Sequence, residues 1–85
     1  MQVETFLEWQ AQKFPHKTAL VCGDQRLSYQ DMEEQCNRLA HALNDGGVQR
    51  GDRIAVYLEN SVETVVSIFA ILKAGAAFLL VNPSH

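Results

Sequence analysis

The sequence predicts an α/β fold in which an amino-terminal helix and a short hairpin precede a βαβ unit with parallel strands. Three observations carry this prediction. Apolar residues recur at helical spacing in two segments, two short apolar runs have the length of strands, and glycine, proline or serine marks nearly every boundary. Because the last strand runs into residues 82–85 with no following element to cover it, we expect an incomplete part of a larger domain.

The first elements are a helix and a hairpin. An amphipathic helix is expected from Val3 to Phe14, ended by Pro15. Trp9 lies off the apolar side of this helix and is expected to pack against a neighbouring element. Residues 18–22 and 26–28 are strand candidates around a Gly-Asp turn, but the pattern leaves open which face of the hairpin is buried. The apolar side of the helix comprises Val3, Phe6, Leu7 and Phe14.

The second helix has the clearest signals. Ser28 is suited to cap it, and Asp31 supplies a carboxylate near its amino end. Glu34 and Arg38 are spaced to pair on its polar face, and Gly46-Gly47 predicts a left-handed stop. The predicted buried stripe consists of Met32, Cys36, Leu39, Ala40 and Leu43.

The βαβ unit follows. Residues 53–58 suit a strand in the interior of a sheet, and either Asn60 or Ser61 caps a helix over residues 61–74. This helix is apolar on almost every side, so it must be buried on more than one face. Gly75 ends it, and residues 76–81 form a strand parallel to the first. The thin polar strip of the helix contains Glu63, Thr64, Ser67 and Lys73.

Composition narrows the class of protein. A chain of 85 residues is one small unit, and its 47% hydrophobic content favours a folded chain over a disordered one. Its net charge of -3 and seven scattered Lys and Arg residues argue against nucleic-acid partners. Cys22 and Cys36 have no metal-ligand spacing, so both are expected to be free, buried thiols in a reducing, cytoplasmic setting. No apolar run reaches the length of a membrane span.

No residue pattern predicts a catalytic, cofactor-binding or metal-binding site. Arg50-Gly51-Asp52 matches the tripeptide that integrins read, but ordinary turn chemistry explains it. The three histidines share no ligand spacing, and adjacent Glu33 and Glu34 point away from each other, which indicates a solvated face. Lys73 reads as a cation placed favourably at a helix carboxyl end.

Short segments spread over the whole chain occur together in a recognisable order and spacing: Gln12–Pro15, Thr18–Leu20, Leu27–Tyr29, Asn37–Ala40, Gly47-Val48, Gly51–Val56, Asn60 with Glu63, Ile71–Gly75 and Asn82–Ser84. Taken together, these segments resemble the amino-terminal part of the AMP-forming adenylating enzymes, the superfamily of acyl-CoA synthetases, peptide synthetase adenylation domains and luciferases. The resemblance covers about the whole chain, so residues 1–85 are expected to be the amino-terminal part of an AMP-binding domain.

This resemblance implies a ligase that activates a carboxylic acid with ATP as an acyl-adenylate, assisted by magnesium, and passes the acyl group to coenzyme A or a carrier phosphopantetheine. The family's phosphate loop, nucleotide pocket and catalytic lysine lie downstream, so no family site residue carries over and the chain is expected to be inactive alone. Within the family the signals divide. Residues 23–27 and 37–43 are similar to peptide synthetases, whereas residues 81–84 are more similar to fatty-acyl ligases, the class favoured here.

Two partners are expected: the remainder of the adenylating domain, or a second copy through exposed apolar surface. Two alternatives remain open at this point. The chain could be a standalone α/β scaffold or binding module that pairs its last strand with a partner, or a nonfunctional remnant.

Overall fold

A computed structural model describes residues 3–57 and 61–81. Its elements confirm the predicted order: α1 Val3–Lys13, β1 Thr18–Cys22, β2 Gln25–Ser28, α2 Tyr29–Asp45, β3 Arg53–Tyr57, α3 Val62–Lys73 and β4 Ala77–Val81. Strands β1 and β2 pair antiparallel, and β3 and β4 pair parallel in a separate two-stranded sheet. The α/β class and the βαβ unit are therefore confirmed.

Helix α1 packs differently from the prediction. Of its predicted apolar side, Leu7 is buried, whereas Phe6 and Phe14 are nearly half exposed. Trp9 is also half exposed, and its ring contacts Lys13, whose Nζ lies 4.2 Å from the ring centroid. The helix therefore turns a narrower face toward the core than its apolar residues suggest, and the packing of Trp9 against another element stays a prediction.

The structure shows which face of the hairpin is buried, a question that the sequence left open. Val21 pairs with Arg26 and is exposed, while Leu20 and Cys22 are half-buried against the core around α2. The turn is made by Gly23, whose φ of 60° lies in the left-handed region that favours glycine.

Helix α2 begins with the predicted cap in its complete form. The Asp31 amide donates to Ser28 Oγ at 3.1 Å, and the Ser28 amide donates to Asp31 Oδ2 at 3.2 Å. The predicted stripe is confirmed: Met32, Cys36 and Ala40 are buried, and the two leucines are half-buried.

Two finer predictions about α2 are wrong. No ion pair joins Glu34 to Arg38 among the described salt bridges. The left-handed stop is made by Gly47 alone, with φ 102°, because Gly46 has φ −80° and caps the helix by donating its amide to Ala42 O.

Helix α3 is capped by Ser61, one of the two predicted residues; Asn60, the other, lies outside the described residues. The Thr64 amide donates to Ser61 Oγ at 3.2 Å. Thr64 was expected on the polar strip, but it is buried, and its hydroxyl lies 3.1 Å from Ser61 Oγ. This short contact lets a hydroxyl be buried with a hydrogen-bond partner. Gly75 ends the helix with φ 85°, as expected.

The two parallel strands are tied together where they begin. The Gly51 amide donates to Gly75 O at 3.0 Å, and the Ala77 amide donates to Asp52 O at 2.7 Å. The Asp52 carboxylate accepts from the Gln49 amide at 2.8 Å, which closes its own turn. Residues 50–52 therefore form a structural turn, as the turn-chemistry interpretation predicts.

The core has two parts. One lies between α1, α2 and α3 and consists of Leu7, Met32, Cys36, Val62 and Val66. The other joins the parallel strands to α3 through Val56, Ile71 and Ala76. None of the described helices combines the length and the apolarity that crossing a bilayer requires.

Candidate functional site

A charged cluster lies where the three helices meet. Lys73, in the last turn of α3, has only 8% of its side chain exposed. Its Nζ lies 2.9 Å from Glu33 Oε1 of α2 and 3.6 Å from Glu8 Oε2 of α1. Glu33 Oε1 is itself shielded from solvent and receives no hydrogen bond of good geometry, so the Lys73 ammonium is its main electrostatic partner among the described residues.

This cluster corrects two expectations. Glu33 is not part of a solvated face, and Lys73 is more than a cation at a helix end. The physical reason is that α3 buries its carboxyl-terminal turn against α2, which removes Lys73 from water and requires a carboxylate beside it. The sequence held one usable signal: Glu33 stands next to buried Met32 and three residues before buried Cys36, so it lies at the margin of the buried stripe.

The cluster forms the floor of an open polar cleft of about 420 Å³. Its two carboxylates both face the Lys73 ammonium, which suits them to hold the three helices together. In residues 3–57 and 61–81, no three His, Cys, Asp or Glu side chains are grouped to hold a metal ion. The cleft is lined by Thr5, Glu8, Glu33, Asn37, Ala40, His41, Asn44 and Lys73.

Cys36 is free, as predicted, and fully buried. Burial raises the pKa of its thiol to about 11; Lys73 opposes this change and Glu33 adds to it. Its Sγ lies 3.8 Å from Val66 O, the geometry of a weak hydrogen bond. A thiol of this kind stays protonated near neutral pH, so it is a poor nucleophile. Cys22 is also free, but it is only half-buried and not buried as expected, because it lies on the strand β1 at the margin of the core.

A second, apolar cleft of about 340 Å³ lies beside β3. Part of the sheet is left uncovered by the described residues, since Tyr57 is 63% exposed and Leu79 is 52% exposed. Leu80 is also half exposed, but it pairs with Val56 and therefore lies on the other face. In the parallel register, Ala55 pairs with Leu79, so this pair shares the face turned away from α3. The cleft is lined by Leu39, Leu43, Ile54, Ala55, Val56, Tyr57, Glu63, Thr64, Ser67 and Ile71.

The uncovered face corrects the prediction of an interior strand over residues 53–58, of which residue 58 lies outside the described residues. An interior strand has both faces buried, but only Val56 of β3 is buried, while Arg53, Ala55 and Tyr57 are exposed. The near-continuous apolar sequence therefore exceeds what the described residues can cover. It is typical of a strand that packs against a further layer on its open side.

Comparisons with known proteins agree with a sheet that packs against a further layer, because the chain matches only a small part of each relative. The family model described as AMP-binding enzyme matches residues 7–85. A medium/long-chain-fatty-acid–CoA/3-oxocholest-4-en-26-oate–CoA ligase of Mycobacterium marinum is 47% identical over 68 residues, which is 80% of this chain and 12% of that protein. Tyrocidine synthase 2 of Brevibacillus parabrevis is 44% identical over 78 residues, 92% of this chain and 2% of that protein.

A solved structure shows the same relation. The N-terminal subdomain of Klebsiella oxytoca NpsA superposes with a TM-score of 0.91 at 30% identity, over 98% of this chain and 22% of that one. The chain thus spans a small part of each relative, and in NpsA that part lies within the N-terminal subdomain. From the family match, the sequence identities and the shared fold, we conclude that the chain belongs to the AMP-forming adenylating enzymes and is an N-terminal fragment of such an enzyme.

Proposed function

We propose that residues 1–85 form the amino-terminal part of an AMP-binding domain in a cytoplasmic ligase and have a structural role there. That ligase activates a carboxylic acid with ATP as an acyl-adenylate and transfers the acyl group to coenzyme A or a carrier phosphopantetheine. The observation that carries the proposal is the uncovered apolar face of β3 and β4, which the described residues cannot bury.

The described residues favour a structural role for the chain over a catalytic one. ATP and magnesium need free cations and carboxylates, but Lys73 is held between Glu33 and Glu8, and both carboxylates are engaged by it. The glycines of residues 46–51 follow a helix and precede a strand, the reverse of the order in a phosphate-binding loop. We therefore assign no step of the reaction to these residues and propose that the chain alone is inactive.

The acid is proposed to be a fatty acid, in the class of the mycobacterial ligase, with an amino or aryl acid as the competing class. The high identity to a fatty-acid–CoA ligase supports the first, and the identity to a peptide synthetase supports the second. Residues 81–84 favoured the fatty-acyl class in the sequence, but residues 82–84 lie outside the described structure.

The test is carboxylate-dependent exchange between ATP and pyrophosphate. It is run on the 85-residue chain and on the longest product of its gene, with fatty, aromatic and amino acids. Exchange by the longer product alone supports the proposal and identifies the acid. Exchange by the short chain contradicts the inactivity proposed for it. If neither product shows exchange, the scaffold alternative is favoured.

The scaffold alternative keeps one supporting observation. The sheet of β3 and β4 has only two strands among the described residues, so its outer edges carry unpaired backbone groups that a partner strand could engage. A genuine stop codon after residue 85, together with capture of a partner that protects β4 amides from hydrogen exchange, would favour this alternative.

A further inference from the structure

We draw no further inference here: the strongest candidate, the face of the β3–β4 sheet on which Ala55, Tyr57 and Leu79 lie exposed, already carries the proposed function, and nothing in the structure shows what covers it.

Discussion

Replacing Lys73 with methionine is expected to destabilise the chain substantially. The change leaves Glu33 Oε1 shielded from solvent without the cation that lies 2.9 Å from it. Removing one partner of a fully buried pair costs about 3 to 5 kcal/mol. Because 21% of the Glu33 side chain is exposed, water compensates part of that loss, and we expect about 2 kcal/mol.

The loss expected for K73M is large compared with the free energy of unfolding of the whole chain. A domain of this length has a free energy of unfolding of roughly 4 to 12 kcal/mol. In chains of this size each kcal/mol shifts the melting temperature by about 4 to 8 °C, so K73M should melt about 8 to 16 °C lower. Urea and thermal unfolding, followed by far-UV circular dichroism at low protein concentration, measure this change.

The carboxylate variants test the geometry. E33Q should cost nearly as much as K73M, whereas E8Q should cost about 0.5 kcal/mol or less, because Glu8 is half exposed and 3.6 Å away. The double variant K73M/E33Q should lose less than the sum of its single variants. K17M, which removes an exposed lysine, is the matched control. Equal losses in E8Q and E33Q, or a K73M loss no larger than that of K17M, would refute the reasoning.

Four further predictions follow from local features. Ser28→Ala removes the capping box of α2 and should cost about 1 kcal/mol in chemical denaturation, with Gln30→Ala as a near-neutral control. Gly75→Ala would place its Cβ at an ordinary contact distance, 3.6 Å from Arg50 Cγ, but at φ 85°, so it should cost about 1 to 2 kcal/mol; an unchanged urea midpoint would argue against the left-handed turn. The folded-state pKa of Cys36 is raised from 9.0 to about 11, so its contribution to stability is complete below pH 9 and is lost as the pH rises to 11. That contribution is on the order of 2 kcal/mol. The measurement is the free energy of unfolding between pH 9 and 11, and an equally steep fall in Cys36→Ala and in the unmodified chain would contradict the prediction. Leu79→Lys should reduce self-association of the isolated chain, measured by sedimentation velocity over a concentration series; a monomeric unmodified chain would contradict the expected association through exposed apolar surface.

The order of elements could be predicted from the sequence because local chemistry encodes their ends. The Ser28 side chain caps α2 through an amide three residues away, and Gly75 adopts a backbone conformation that other residues avoid. Such signals act within a few residues, so they do not depend on which elements meet. The buried stripe of α2 was also predictable, because a helical period reports the face that is hidden from water.

The charged cluster was not predictable because it depends on how helices meet. Periodicity shows that Glu33 lies beside the buried stripe, but the approach of Lys73 is set by the packing of α3 on α2. The same reason explains the exposure of Phe6 and Trp9 on α1. Both are apolar in sequence, but the packing of the helices places Leu7 in the core and leaves these two rings about half exposed. The prediction of no catalytic, cofactor-binding or metal-binding residue stays a prediction.

The backbone link between Gly51 and Gly75 makes the length of the loop before β3 a determinant of the whole sheet. Side chains alternate between faces along a strand, so a shift of one residue in the pairing exchanges every inward residue of β4 for an outward one. An inserted residue between Gly51 and Arg53 would have to break the 3.0 Å and 2.7 Å hydrogen bonds that fix where the strands start, or move Phe78 out of the core. The hairpin turn at Gly23 carries no such link, and we therefore expect insertions to be tolerated there and to be excluded at residues 51–53.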